Sequence, residues 1–366
     1  MLKLGYIDAL RGWAVIGVLL VHCLGYGNEI YPSILNDIAE NGGRGVQLFF
    51  IVSAFTLFLS LSRRNDKNTN IYRGFFIRRF FRIAPMFYLA IIYFTIERYF
   101  WGVLTPDIPP ELTSSSIIST FFFVHGFNPY WINTVVPGGW TISVEMVFYC
   151  LVPFLFMKIK NMNQASIFIL ITILLQHVIT NLLKVYPFTD DPTLNQHFLY
   201  YYLPNQLPVF ACGIFMFFLI TVPKKEWSIS PYVIVLFALG ALLQITTGRE
   251  LYSNHVIYGI AFVFLGYALS LKEIKLFVNP ITRYLGKISF SMYLMHFVVL
   301  HWMAKWNLLN FVESSGSFLT SNLNFGIRFV ILLFMSVLLS SISYRCIEKP
   351  FLELGRKIIR RIESTV

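Results

Sequence analysis

DALRGWAVIGVLLVH, residues Asp8 to His22, is apolar over nearly the length of a bilayer span, yet Arg11 stands near one end and His22 closes the other. A charged side chain at the centre of a membrane helix costs roughly 2.5–3.5 kcal/mol on insertion scales, so such residues are kept where they do something. The surrounding composition decides which solvent this helix meets. Hydrophobic residues make up 56% of the 366, charged residues only 13%, and the mean hydropathy is +0.65. A water-soluble chain of this size has no single core that could hide so much apolar surface. The fold class expected is therefore all-α, a polytopic membrane helical bundle. Asp8 and Arg11 interrupt the first apolar run and no small-residue cleavage pattern follows it, so this segment is expected to remain as the first span.

Runs near 20 apolar residues predict about ten transmembrane helices, close to 8–26, 45–62, 83–102, 140–157, 165–185, 204–222, 231–247, 254–271, 286–303 and 326–345. Residues 116–127 are also apolar, but about 12 residues rise only about 18 Å as a helix, which predicts an interfacial or re-entrant segment. With both termini cytoplasmic, only Arg44, Arg98, Lys184, Arg249, Lys305 and Arg328 of the 29 Lys and Arg fall at outer ends. That asymmetry obeys the positive-inside rule. It also accounts for the net charge of +11 as a membrane-surface feature and removes nucleic acid as a partner. Residues 1–350 are expected to form one transmembrane domain and 351–366 a basic, amphipathic cytoplasmic tail. Cys23, Cys150, Cys212 and Cys346 show no paired spacing and read as small buried apolar residues, with neither a disulfide framework nor a metal site. Nothing in the pattern specifies an oligomeric state.

Arg11 and His22 lie eleven positions apart, about 1100° of helical rotation, so they share a face and are separated by about 16.5 Å of rise. On the fourth span, Glu145 in GGWTISVEMVFY lies about 7.5 Å below the outer end, near the depth of His22. An imidazole able to take a proton at physiological pH and a carboxylate at matched depth make a candidate catalytic pair. Arg78, Arg79 and Arg82 in FFIRRFFRIAP crowd into one helical turn at the inner mouth of the third span. Guanidinium forks suit phosphates, and the interleaved aromatics suit a nucleobase. With Arg11 they make a candidate acyl-CoA-binding group, because coenzyme A places phosphates at one end of a flexible arm and a thioester at the other. Each feature also has a plainer reading. Arg11 can snorkel, the arginine cluster can be an ordinary basic loop, and Ser53 and Ser143 can be helix contacts. His296 can line a cavity or pack between helices. Trp140, Ser143 and His125 on the outer side are candidates for binding an acceptor.

The chain resembles the acyltransferase-3 family of integral membrane acyltransferases. The likeness rests on Arg11 and His22 in YIDALRGWAVIGVLLVH, then on GVQLFFIVSAF (45–55), RRFFRIAP (78–85), GGWTISVEMVFY (138–149), LGKISFSMYLMH (285–296) and YRCIEKPF (344–351), in order along nearly the whole sequence. Gln47 stands where similar proteins often have an acid, and Ala54 where glycine is common. The resemblance implies transfer of an acyl group, commonly acetyl, from cytoplasmic acetyl-CoA to a hydroxyl of a cell-surface or lipid-linked carbohydrate such as O-antigen lipopolysaccharide. Acetyl-CoA would be a co-substrate, with no tightly bound cofactor, and the setting a bacterial cytoplasmic (inner) membrane. No attached esterase-like domain is expected, so the membrane domain would hand the acyl group over unaided. His22 would act as general base or become acylated itself. A proton-coupled transporter or a membrane scaffold of a polysaccharide assembly system are the rival readings, although the inverted repeats common in transporters are not seen.

Overall fold

A computed structural model describes residues 4–27, 34–63, 71–101, 112–223, 227, 229, 253–312 and 318–364. The helices are α1 (Gly5–Gly25), α2 (Ile34–Asn41), α3 (Gly45–Ser62), α4 (Ile71–Trp101), α5 (Ser114–Phe121), α6 (Trp140–Lys158), α7 (Met162–Val185), α8 (Pro192–Tyr201), α9 (Leu203–Thr221), α10 (Asn254–Leu271), α11 (Pro280–Lys287), α12 (Ser289–Lys305), α13 (Phe318–Ser343) and α14 (Lys349–Ser364). No strand occurs among the described residues. Eight helical stretches there are long and apolar enough to cross a membrane, each matching a span expected from hydropathy, so the chain is an integral membrane protein. The expected span 286–303 corresponds to α12, a 17-residue helix with a rise of about 25 Å. The expected span 231–247 lies outside the described residues. Residues 116–127 form the short α5 and a single 3-10 turn, His125–Phe127, in keeping with a segment that does not cross.

Two compact units are distinguished, one from residues 1–49, 77–107 and 273–366, the other from 50–76 and 108–272. In the first, α1 is gripped from two sides through glycine. A Cβ on Gly286 of α11 would lie 1.7 Å from the Asp8 carbonyl oxygen, and one on Gly12 would lie 2.1 Å from that of Thr282. Beside these contacts, a Cβ on Gly42 would lie 2.3 Å from the Gly17 carbonyl, and one on Gly45 would lie 2.2 Å from that of Ala14. Lipid tails give helices no hydrophobic reason to associate, so close backbone approach through small residues supplies the packing instead. Val15, Leu19, Cys23, Leu285, Ile288, Met292, Leu300 and Leu332 fill the core around this clamp.

The second unit packs α6, α7 and α10 against α9, which is buried along most of its length. An aromatic column runs through it. Trp140 stacks on Tyr201 at 4.6 Å, Phe50 on Phe210 at 4.5 Å and Phe148 on Phe210 at 3.9 Å between centroids. The cysteines divide differently from the sequence reading: all four are free thiols, and Cys23 and Cys212 are buried, but Cys150 and Cys346 are exposed on helix surfaces. Facing hydrocarbon is as acceptable for a small apolar side chain as facing the core, so burial cannot be inferred from an apolar neighbourhood here. The C-terminal α14 buries Gly355 and Ile359 and exposes Arg356, Lys357, Arg360 and Arg361.

The clamp makes a direct prediction. Gly286→Ala should force α1 and α11 apart and destabilise the protein by about 2 kcal/mol, within the usual range for overpacking. Gly326→Ala, where a Cβ meets nothing within 4 Å, should leave the melting temperature in detergent unchanged or raise it slightly; equal melting of both variants would disprove the clamp.

Candidate functional site

In the first unit, the unbroken α1 carries Arg11 and His22 on one face. Arg11 pairs with Asp8 across 3.4 Å. The His22 ring lies 5.2 Å from that of His296 and 4.6 Å from that of Phe297. His296 is fully buried; its Nδ1–H donates to the Met292 carbonyl one helical turn back, at 3.1 Å. That bond fixes the tautomer, so Nε2 carries the lone pair, and it has no hydrogen-bond partner among the described residues. A buried acceptor left open beside a second imidazole has the chemistry of a proton-handling centre. The end of α1 is fixed by Arg328, completely buried, whose Nε donates to the Cys23 carbonyl at 3.0 Å and whose guanidinium also donates to that of Leu309 at 2.9 Å. The residue next to His22 in the chain is thereby held by a charge-assisted bond.

The opposite end of this unit is basic. Arg78, Arg79 and Arg82 are half-buried on α4 and span an arc of about 100°. Arg82 interacts electrostatically with Glu348 and Tyr344. Glu348 is buried and accepts a hydrogen bond from Ser291. Tyr344 and Glu348 bound a π-helical turn between α13 and α14, a local deviation common at functional sites. The Lys287 ammonium lies 5.4 Å from the centre of the Tyr344 ring, and Arg356 interacts with the same tyrosine. The structure thus brings cations of α4, α11 and α14 to one tyrosine.

The other predicted residues fall in the second unit. The Glu145 carboxylate accepts hydrogen bonds from Ser53 and, at 2.6 Å, from the Tyr149 hydroxyl. Ser143 is fully buried; its hydroxyl donates to the Phe123 carbonyl at 2.8 Å and accepts from the Gly126 N–H at 2.9 Å. A Cβ on Gly126 would lie 2.5 Å from that hydroxyl, so the close approach requires glycine. His125 is buried and bonds the Gly139 carbonyl through Nε2 at 3.0 Å. These two residues staple the 123–126 turn onto the start of α6. Trp140 is buried in the aromatic column. Beside the staple lies an apolar cavity of about 300 Å³ lined by Phe127, Ser143, Val144, Ile179, Phe198 and Tyr202, among others.

Three features escaped sequence reasoning. One is the His296 contact with His22, another the anchoring by Arg328. The third is a buried pair in the first unit, in which His301 Nδ1–H donates to Glu97 Oε1 at 2.5 Å with side chains only 4% and 8% exposed. The available signal was that Glu97, His301 and Arg328 are ionisable residues within or beside apolar runs. Among the described residues, no three His, Cys, Asp or Glu cluster as metal ligands.

The model of the family described as the acyltransferase domain matches residues 4–345. The chain is 28% identical over 179 residues to the peptidoglycan O-acetyltransferase OatA of Listeria monocytogenes, covering 46% of this chain and 26% of that protein. It is 22% identical over 388 residues to the O-acetyltransferase OatA of Staphylococcus aureus, covering 96% of this chain and 57% of that protein. The chain therefore spans little more than half the length of these curated relatives at most. No solved structure is significantly similar to it.

Burial holds the His125 imidazole down to about 4 from its usual 6.5, outweighing the hydrogen bonds to Gly139 and Ser119 that favour the charged form. The unfolded chain then binds more protons between those values, so this stapling bond should lose stability as pH falls from about 6.5 to about 4, by about 3 kcal/mol in all. His125→Gln keeps a donor for Gly139 without titrating. Thermal melts from pH 8 to pH 4 should show a shallower loss in the variant; parallel curves would refute the assignment.

Proposed function

The chain belongs to the acyltransferase-domain family, and on that premise we propose that it transfers an acetyl group from acyl-CoA to a hydroxyl of a cell-surface or lipid-linked carbohydrate. The observation carrying this reading is that one face of α1 joins a cluster of cations at one end to a pair of imidazoles at the other. A phosphate-bearing carrier with its reactive thioester on a flexible arm fits that separation, about 16.5 Å along the helix.

In this mechanism Arg78, Arg79, Arg82 and Arg11 hold the phosphates of acetyl-CoA on the cytoplasmic side, where charge-assisted bonds are strong. His22 removes the proton of the acceptor hydroxyl as its oxygen bonds to the thioester carbonyl carbon. The carbon–sulfur bond breaks, and the proton leaves with the CoA thiolate as a thiol. His296, its tautomer fixed by Met292, offers Nε2 as a second station for that proton. In the second unit, the Glu145 carboxylate is oriented by Ser53 and Tyr149. Both termini lie in the cytoplasm in this reading, and the membrane is the bacterial cytoplasmic membrane. The names of the relatives support O-acetylation, and that of the Listeria protein makes a peptidoglycan sugar a candidate acceptor.

Protein purified into nanodiscs should turn over acetyl-CoA when given acceptor glycan, and His22→Ala should lower the rate about 10²–10⁴-fold, as expected for loss of an acid–base group. Replacing Arg78, Arg79 and Arg82 by Gln should weaken acetyl-CoA binding about tenfold or more while leaving acceptor affinity alone. An unchanged rate in folded His22→Ala, or unchanged acetyl-CoA affinity in the triple variant, overturns the corresponding role.

A further inference from the structure

The end of the first unit that carries His22 has a second polar centre, built from α4 and α12. Glu97 and His301 form their buried hydrogen-bonded pair there. On α12, Lys305 follows His301 by four residues and so shares its stripe, while Trp302 and Trp306 form a neighbouring stripe about 100° away. The two stripes are locked together. Trp302 donates its indole N–H to the Tyr93 hydroxyl at 2.9 Å, and Lys305 holds its ammonium 4.8 Å from the Trp302 ring centre. Trp306 lies 5.2 Å from Trp302 between centroids and is 63% exposed. The helix ends at Lys305, so Trp306 caps it, and the next residue, Asn307, takes φ 55° and turns the chain away.

This aromatic face is tied to the end of α1. Arg328 bonds the carbonyls of Cys23, next to His22, and of Leu309, three residues beyond Trp306. Asn324 fixes the same loop by accepting from the N–H groups of Phe311 and Val312 and donating to the Val312 carbonyl. Interfacial belts explain an exposed Trp or Lys near a span end. They do not explain why a carboxylate and an imidazole are buried directly behind it, where ionisable groups are costly.

We propose that Trp302, Trp306, Lys305 and the Glu97–His301 pair form the binding site for the acceptor sugar. An indole face takes the apolar C–H face of a pyranose ring. A carboxylate, an imidazole and an ammonium together supply both acceptors and donors for its hydroxyls. The assignment rests on the acyl-transfer reading only for the word acceptor; the sugar site itself is separable from it.

The test uses the full chain in nanodiscs, with chitotetraose and maltotetraose as probes and saturation-transfer NMR as readout, and acetyl-CoA binding is measured in parallel. Wild type should saturate at least one probe. Trp306→Ala and Glu97→Gln should each reduce that transfer fivefold or more with acetyl-CoA affinity unchanged. Trp13→Phe, remote on α1, should leave both readouts as they were. No transfer to either probe in wild type, full transfer in folded Trp306→Ala, or equal loss of sugar and acetyl-CoA binding would each overturn the site. If wild type binds sugar but not acetyl-CoA, the donor reading fails and the sugar site stands.

Discussion

The cost of an ionisable group inside a bilayer governs the rest of this structure. Buried polar side chains are held here by close and specific partners, because hydrocarbon offers no alternative. Arg328 spends its guanidinium on two backbone carbonyls, Glu97 takes the His301 N–H, Glu348 takes the Ser291 hydroxyl, and Glu145 takes two hydroxyls. His296 is the informative departure. One ring nitrogen is bonded to a carbonyl and the other is buried with no hydrogen bond among the described residues, a cost that packing alone does not require.

Holding such groups still demands helices that cannot slide. The glycines at 12, 42, 45 and 286 bring α1 into backbone contact with its neighbours on two sides. That contact fixes rotation and height together, since a shift of one residue would turn Arg11 and His22 by about 100° away from their partners. The same logic explains the stapled turn over α6. Ser143 and His125 are spent on backbone groups, so what they supply is the position of the α6 N-terminus, five residues before Glu145.

Much of this was legible in the sequence because membrane burial leaves a one-dimensional trace. Span lengths follow from hydropathy, and the common face of Arg11 and His22 follows from spacing on a single helix. Residues that meet across helices leave no such trace. Glu97 and His301 come from separate spans, as do Arg328 and Cys23, and no periodicity links them. The π turn at Tyr344–Glu348 is equally silent, because its residues suit an ordinary helix. The exposed Cys150 and Cys346 mark the opposite limit: in lipid an apolar residue is at home on either side of a helix, so polarity no longer reports burial.

The distance between the two ends of α1 also has an electrostatic meaning. A guanidinium 4 Å from an imidazole would oppose its protonation by about 4 kcal/mol at an effective dielectric of 20, whereas at about 16.5 Å the same charge acts with only about 1 kcal/mol. Phosphate binding and proton transfer make opposite demands, the first for concentrated positive charge and the second for an imidazole free to gain a proton. In the proposed mechanism, one rigid helix face with the two functions separated by the length of a flexible carrier meets both demands. In the proposed mechanism a shorter spacing would have the donor-binding cations suppress the base.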